Sequence, residues 1–225
     1  MPTGNKLFRQ AVNWGIDRQR IVDTAYLGFG EVRDLPFPSN APAYDETRNH
    51  HYTFGLDKAK SLLAQSGVTS PTVDFMWTTA APDIANVAQI LQSDLARIGI
   101  TLNLKPTEPV AALNALFNST FTGLFGATIL LGQLHPSVMN GSPYYSAGCN
   151  WCSFHSDDLA RVDDAILRAA DPIKARDAFN AWSDVLDQHS PCPSARSIRI
   201  FSLQRKLVAR LSTLLAIGSR PTMPG

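Results

Sequence analysis

Two cysteines three positions apart are the residues of this chain whose types and spacing carry the most chemistry. The stretch 149–152 reads C-N-W-C, and His155 follows it by three residues. Such a C-x-x-C motif can be a redox dithiol, can supply two zinc ligands, or can contribute to a structural disulfide. A redox dithiol of the thioredoxin type starts a helix directly after a strand. Here a long Gly/Pro/Ser-rich span comes first, which disfavours that chemistry.

A zinc site would need two more ligands beyond Cys149 and Cys152. His155 is the near candidate, and His189 and Cys192 could complete a set of four. If the protein is exported, the sequence favours a disulfide, which leaves one of the three thiols free or buried. Unpaired buried cysteines are the other alternative, and no bound metal is expected.

Other groups of titratable residues have simpler explanations. Acidic pairs at 157–158 and 163–164 fall at a predicted helix start and on its exposed face, where the helix dipole favours the first pair. His50-His51 is interpreted as a solvated surface pair, with metal binding as the alternative. Residues 28–30 form a G-x-G in a loop, which indicates turn geometry rather than phosphate binding. The sequence contains no G-x-S-x-G, Walker or H-E-x-x-H motif.

The composition narrows the possible partners. The 225 residues are 44% hydrophobic and 17% charged, an ordinary globular balance with a net charge of +1. No basic cluster with interleaved aromatics occurs, so a nucleic-acid partner is not expected. The longest apolar runs fall far short of the roughly 20 residues that span a bilayer.

The hydrophobic periodicity predicts the elements that position these groups. Two short helices meet at 15–17, where Asp17 is the predicted N-cap of the second. Asp57 is the predicted N-cap of a third helix that ends at Gly67. A strand is predicted at 72–78, with Val73, Phe75 and Trp77 on one side. A helix at 84–98, with Pro82 and Asp83 at its start, and a strand at 100–105 complete a βαβ unit with parallel strands.

Further along the chain, the pattern predicts a helix from Pro109 to Asn118 and a buried strand at 123–131. We therefore expect an α/β fold in which one mixed sheet carries three strands. Helices at 84–98 and 175–186 should flank that sheet. The apolar spacing at 203–218 suits either a helix or strand pieces.

The helix pair carries a resemblance to a known family. From Arg9 to Val22 the chain reads R-Q-A-V-N-W-G-I-D-R-Q-R-I-V, which resembles the R-x-A-x-x-x-A-I-D-R-x-x-I signature of family 5 extracellular solute-binding proteins. These are the peptide, oligopeptide and nickel receptors of ABC importers. The segments 57–67 and 95–102 resemble two later landmarks of the family. The resemblance implies the C-terminal lobe of a clamshell of the type II periplasmic binding-protein fold, with residues 1–225 as a single α/β domain and the N-terminal lobe absent.

The resemblance also implies where a ligand would bind. Peptide-binding members carry a W-x-x-D-x-x-D-P stretch in which an aspartate pairs with the peptide ammonium. At 130–137 this chain instead reads L-L-G-Q-L-H-P-S, with no carboxylate from Gly123 to Phe154. A free-amine peptide is therefore disfavoured as the ligand. The candidate ligand-binding residues are Trp77, Gln133, His135 and Trp151, and we expect them to be largely exposed in one isolated lobe.

The function that the resemblance implies is binding without chemistry. The receptor would capture a peptide or other small polar solute between two lobes and deliver it to the ABC permease, outside the cytoplasm as a periplasmic protein or cell-surface lipoprotein. No cofactor is expected. The alternative is a small independent α/β enzyme or zinc-containing domain centred on Cys149, Cys152 and His155.

Overall fold

The computed structural model describes residues 2–34, 44–126 and 157–189. Its helices are α1 (Lys6–Gly15), α2 (Arg18–Ala25), α3 (Leu56–Gln65), α4 (Pro82–Ala96), α5 (Pro109–Phe117), α6 (Asp157–Arg168) and α7 (Pro172–His189), and its strands are β1 (Thr72–Thr78), β2 (Thr101–Thr107) and β3 (Leu124–Gly126). The α/β fold class expected from the sequence is thus confirmed.

Side-chain caps start the first two helices. The Asn5 carboxamide oxygen accepts a hydrogen bond from the Leu7 amide at 2.9 Å, and the Asp17 carboxylate accepts one from the Arg20 amide at 2.9 Å. The predicted junction at 15–17 and the Asp17 cap are therefore confirmed. A β-carbon built on Gly15 would lie 2.7 Å from Ile98 Cδ1, so a residue without a side chain lets α1 end close to the C-terminal end of α4.

A buried carboxylate joins this helix pair to α4. The Asp94 side chain is fully buried and accepts a hydrogen bond from the Asp17 amide at 3.0 Å. The Arg20 guanidinium lies 3.2 Å from the other oxygen of Asp94. Burial raises the pKa of the Asp94 carboxyl, and the Asp17 hydrogen bond and Arg20 act in the opposite direction.

The described sheet has the strand order β2-β1-β3, and both pairings are parallel. Phe75 in the central strand lies opposite Leu104 on one side and Leu124 on the other. The predicted βαβ unit is confirmed. The described strands are all parallel, not mixed as expected, because β2 and β3 each follow a helical crossover that returns the chain in the same direction. Residues 127–131 of the predicted third strand lie outside the described residues.

Helices cover both faces of the sheet. The main core lies between one face and α1, α3 and α4; its largest fully buried side chains are Phe8, Phe75, Ile16, Ile21, Leu91, Leu95, Ile100 and Leu102. On the other face, Ala112 and Leu116 of α5 pack with Phe121, Phe125 and Met76. The sequence assigned a flanking role to 175–186, but α5 is the helix that packs on this second face.

Helix α7 packs along α6 and is fixed to the first part of the chain by polar contacts. The Arg48 guanidinium donates to both carboxylate oxygens of Asp184, at 2.8 and 3.2 Å. The Tyr52 hydroxyl donates to the carbonyl of Asp187 at 2.7 Å. Because Arg48 and Tyr52 bind residues of α7, the helix lies beside the segment 44–52.

The start of α3 differs from the prediction. Gly55, not Asp57, is the N-cap, and Asp57 lies in the first turn, where its charge still favours the helix N-terminus. The Gly55 amide donates to the Trp14 carbonyl at 2.9 Å. A β-carbon on Gly55 would lie 3.3 Å from the Trp14 ring. The contact with Trp14 therefore fixes the helix start at Gly55, whereas the local sequence indicated Asp57.

Two glycines provide a matched test of backbone packing in the sheet. Gly123 and Gly99 both have positive φ, at 75° and 86°. A β-carbon on Gly123 would lie 2.4 Å from the Asp74 carbonyl oxygen, whereas one on Gly99 would meet nothing within 4 Å. Gly99→Ala should lower the free energy of unfolding by about 1 kcal/mol through its left-handed backbone. Gly123→Ala should cost roughly 1–3 kcal/mol more, because the strands must move apart.

Urea unfolding followed by circular dichroism measures both glycine variants. Equal losses in the two proteins would contradict the proposed close contact between Gly123 and β1.

A second prediction concerns Asp163, a half-buried carboxyl on α6. Burial raises its pKa from 3.8 to about 6, with a smaller opposing effect from a hydrogen bond to Trp182. Because the folded protein holds this proton more tightly than the unfolded chain, the stability that Asp163 contributes is present below pH 3.8 and is lost as the pH rises through about 6. Asp163→Asn should remove this loss. Its urea midpoint should rise relative to wild type between pH 4 and 7.

The matched control is Asp164→Asn, which changes an exposed carboxylate that pairs with Arg168 at 2.8 Å. It leaves Asp163 intact and should keep the wild-type slope. An Asp163→Asn protein whose midpoint stays parallel to wild type across this pH range would contradict the assignment.

Candidate functional site

The strand order places a topological switch point between β1 and β3. The chain passes from β1 through α4 to β2 on one side, then returns through α5 to β3 on the other side of β1. In open α/β sheets, the connections diverge at such a point and leave a crevice beyond the carboxyl ends of the strands, where ligands bind. The candidate site is therefore the carboxyl end of β1 and β3, which we call the β1/β3 crevice.

A close contact forms the floor of this crevice. A β-carbon on Gly126, at the end of β3, would lie 2.6 Å from the Phe75 ring and 2.8 Å from Ile84 Cγ2. Ile84 belongs to the first turn of α4, so the absence of a side chain at 126 lets α4 start directly over the strand ends. The first turn of α4 is thus one wall of the crevice.

Backbone hydrogen bonds fix the turn between β1 and α4. The Thr79 amide donates to the Thr107 carbonyl at 2.9 Å, and the Ala81 amide donates to the Thr78 carbonyl at 3.0 Å. Helix α4 then begins at Pro82, as predicted, and Ala81 provides no side-chain cap. The positive end of the helix dipole therefore lies at the crevice with no side-chain cap from its N-cap residue.

The Tyr26–Asp83 hydrogen bond joins α2 to this wall. The Tyr26 hydroxyl, just past the end of α2, donates to the Asp83 carboxylate at 3.2 Å. Burial raises the pKa of the Tyr26 phenol, and the neighbouring Asp83 raises it further. The phenol therefore stays protonated and keeps donating. Sequence reasoning missed this pair, since a tyrosine and an aspartate 57 positions apart give no local signal.

Trp77 is the one predicted ligand-binding residue that lies within the described residues. Its side chain is 6% exposed, and the centroids of the Trp77 and Phe75 rings lie 5.6 Å apart in the main core. The expectation that it is largely exposed is therefore wrong, because the inward alternation of β1 points it toward the core with Val73 and Phe75. Its contact with a ligand stays a prediction. Gln133, His135 and Trp151 lie outside the described residues.

The remaining chemistry-bearing residues do not form a second site within the described part. Cys149, Cys152, His155 and Cys192 lie outside it. His50 pairs with Glu46 at 2.9 Å, and the His51 ring packs edge-on against Tyr52. Among the described residues, no group of three or more potential metal ligands comes together. In the same part of the chain, no helix has the length and apolar content to cross a membrane.

The known proteins that resemble this chain are named as binding proteins. Residues 1–143 match the family described as bacterial extracellular solute-binding proteins, family 5 Middle. Heme-binding protein A of Haemophilus influenzae is 30% identical over 108 residues, which cover 45% of this chain and 19% of that protein. Di/tripeptide-binding protein 1 of Pseudomonas aeruginosa is 32% identical over 97 residues, which cover 41% of this chain and 18% of that protein.

A solved structure shows the same fold. The putative peptide-binding protein AppA from Clostridium difficile superposes with a TM-score of 0.72 at 23% identity, over 84% of this chain and 40% of that one. The chain thus matches two fifths of the AppA structure and about a fifth of each curated relative's length.

The hydrogen bond between α2 and the crevice wall can be tested by removing one atom. Tyr26→Phe removes the hydroxyl that donates a hydrogen bond to Asp83. The substitution should lower the free energy of unfolding by about 1 kcal/mol. Tyr44→Phe is the comparison variant, since the Tyr44 hydroxyl donates to the exposed Glu46 carboxylate and accepts a long hydrogen bond, at 3.4 Å, from Asn49. That variant should change stability by less than about 0.5 kcal/mol. Equal effects in urea unfolding would contradict a specific role for Tyr26.

Proposed function

Because the chain belongs to the family 5 bacterial extracellular solute-binding proteins, we propose that it forms one lobe of an ABC-importer receptor that captures a small polar solute. The lobe is the C-terminal one, residues 1–225 form a single α/β domain, and the second lobe lies in the rest of the receptor polypeptide. The observation that carries this proposal is the β1/β3 crevice, which lies within the part of the chain that matches the family.

The mechanism is capture by closure of two lobes. The β1/β3 crevice supplies one wall, built from the strand ends and the first turn of α4, and the second lobe supplies the other. Movement at a hinge between the two lobes closes them around the solute. The closed receptor then binds the permease subunits outside the cytoplasm. One wall alone leaves most of the solute in water, so the 225-residue chain has only part of the binding energy.

The solute is polar but is not recognised through an aspartate at the family's usual place. No carboxylate occurs from Gly123 to Phe154, so a peptide ammonium would lack its charged partner there. Gln133 and His135 offer neutral hydrogen-bonding groups, and Trp151 offers an aromatic face. Trp77 contributes by supporting the strand end from the core side.

The comparisons favour binding over catalysis. Both curated relatives are named for what they bind, heme in one and di- and tripeptides in the other. This supports a binding role over the alternative of a small enzyme or zinc-containing domain centred on Cys149, Cys152 and His155.

Calorimetry tests the proposal with a set of small polar solutes, including di- and tripeptides. The complete receptor should bind one of them, and the 225-residue chain should bind it weakly or not measurably. In the complete receptor, Gln133→Ala and His135→Ala should each raise the Kd about tenfold, which is the loss of one hydrogen bond in a closed site.

The matched controls are Gln65→Ala and His50→Ala, which change the same residue types on exposed surfaces of α3 and of the 3-10 turn Arg48–His50. They should leave the Kd unchanged. Tight binding by the 225-residue chain alone, or no effect of both test substitutions, would contradict the placement of the site.

A further inference from the structure

Strand β2 lies at the edge of the described sheet. Within residues 2–34, 44–126 and 157–189, it pairs with β1 and with no other strand. An edge strand offers its outward N–H and C=O groups to strands of other molecules, so it can cause edge-to-edge association. β2 is seven residues long, an ordinary length for a strand that pairs. The outer edge of β2 is therefore a surface at which two copies of this chain could join.

Two hydrogen bonds show which backbone groups of β2 point to this outer edge. The Thr101 amide donates to the Pro71 carbonyl, and the Thr79 amide donates to the Thr107 carbonyl, both at 2.9 Å. Thr101 and Thr107 therefore direct their backbone groups toward β1. Along a strand in a parallel ladder, this direction alternates from one residue to the next. The residues of β2 that direct their backbone groups outward are thus Leu102, Leu104 and Pro106.

Two of these three residues are closed to a pairing strand. The Gln92 side chain, on α4, donates to the Leu102 carbonyl at 2.7 Å, so it lies where the amide of a pairing strand would bind. Pro106 has no N–H to donate, and proline within a sheet is confined to positions of this kind. In this described strand, Leu104 is then the one outward residue that keeps both groups for pairing. One such residue is far short of a stable strand pair.

We infer that Gln92 and Pro106 close the outer edge of β2 to a second copy of this chain and so keep the protein monomeric. The strand itself requires neither residue, since Gln92 belongs to α4 and proline is depleted in strands. The exposed side chain of Lys105 adds a charge at the same edge, which also opposes pairing. This role is independent of the proposed solute site, which lies at the carboxyl ends of β1 and β3.

A double variant of the 225-residue chain tests this role. Gln92→Met removes the donor with little change in volume, and Pro106→Val restores an N–H and favours a strand. With reductant present, so that no cysteine links two chains, light scattering should show a monomeric wild type and a dimeric double variant over the same concentration range. The matched control, Gln89→Met with Pro109→Val, makes the same changes at an exposed site of α4 and at the start of α5. It should stay monomeric.

Hydrogen exchange of the Leu104 amide identifies the surface that associates. This amide points to the outer edge, whereas the Asn103 and Lys105 amides point toward β1. In the wild type, the Leu104 amide should therefore exchange about tenfold or more faster than those two amides. In the dimeric double variant it should exchange as slowly as they do, because a strand of the second copy then accepts its hydrogen bond.

Each other result overturns the inference. A wild type that is already a dimer does so, as does a double variant that stays monomeric while circular dichroism shows it folded. Dimerisation of the control, or a dimer whose Leu104 amide still exchanges fast, places the association elsewhere. A slow Leu104 amide in the monomeric wild type means that another part of the chain covers the edge. If the double variant does not fold, the single variants Gln92→Met and Pro106→Val decide, because each should dimerise at the highest concentration and a monomeric state of either contradicts the inference.

Discussion

The hydrogen bond from the Asp17 amide to the buried Asp94 carboxylate is the contact on which the rest of the described fold depends. It fixes the corner between α1 and α2 to α4, and the Arg20 guanidinium offsets part of the charge that burial would otherwise make costly. Gly15 allows the same corner to approach Ile98. Since α4 connects β1 to β2, the position of the corner sets the position of the sheet.

The corner between α1 and α2 also holds the wall of the β1/β3 crevice in place. Helix α2 contacts α4 at both ends, through Asp17 at Asp94 and through Tyr26 at Asp83. As the residue number rises along α2 it falls along α4, so the two helices run antiparallel. The first turn of α4 is therefore held from outside by Tyr26 and from inside by the contact of Ile84 with Gly126. The helix pair α1–α2 and Tyr26 thus position one wall of the β1/β3 crevice, which is the proposed solute site.

Local patterns predicted the parts of this arrangement that depend on local physics. The Asp17 cap, the Pro82 helix start and the alternation in β1 follow from neighbouring residues, and each was confirmed. The roles of Asp94 and Tyr26 were missed, because their partners are distant in sequence. The Gly55 cap was missed because Trp14 selects it. The exposure expected for Trp77 was wrong, because the alternation of β1 places its side chain in the core.

Native-state hydrogen exchange of the Asp17 amide tests the central claim most directly. This amide donates its hydrogen bond to Asp94 rather than within a helix, so it reports on the link between the corner and α4. We expect the Asp17 amide to exchange only through global unfolding, with an opening free energy equal to that of the core amides of β1. Exchange through local opening, at a rate close to that of the first-turn amides of α6, would contradict it.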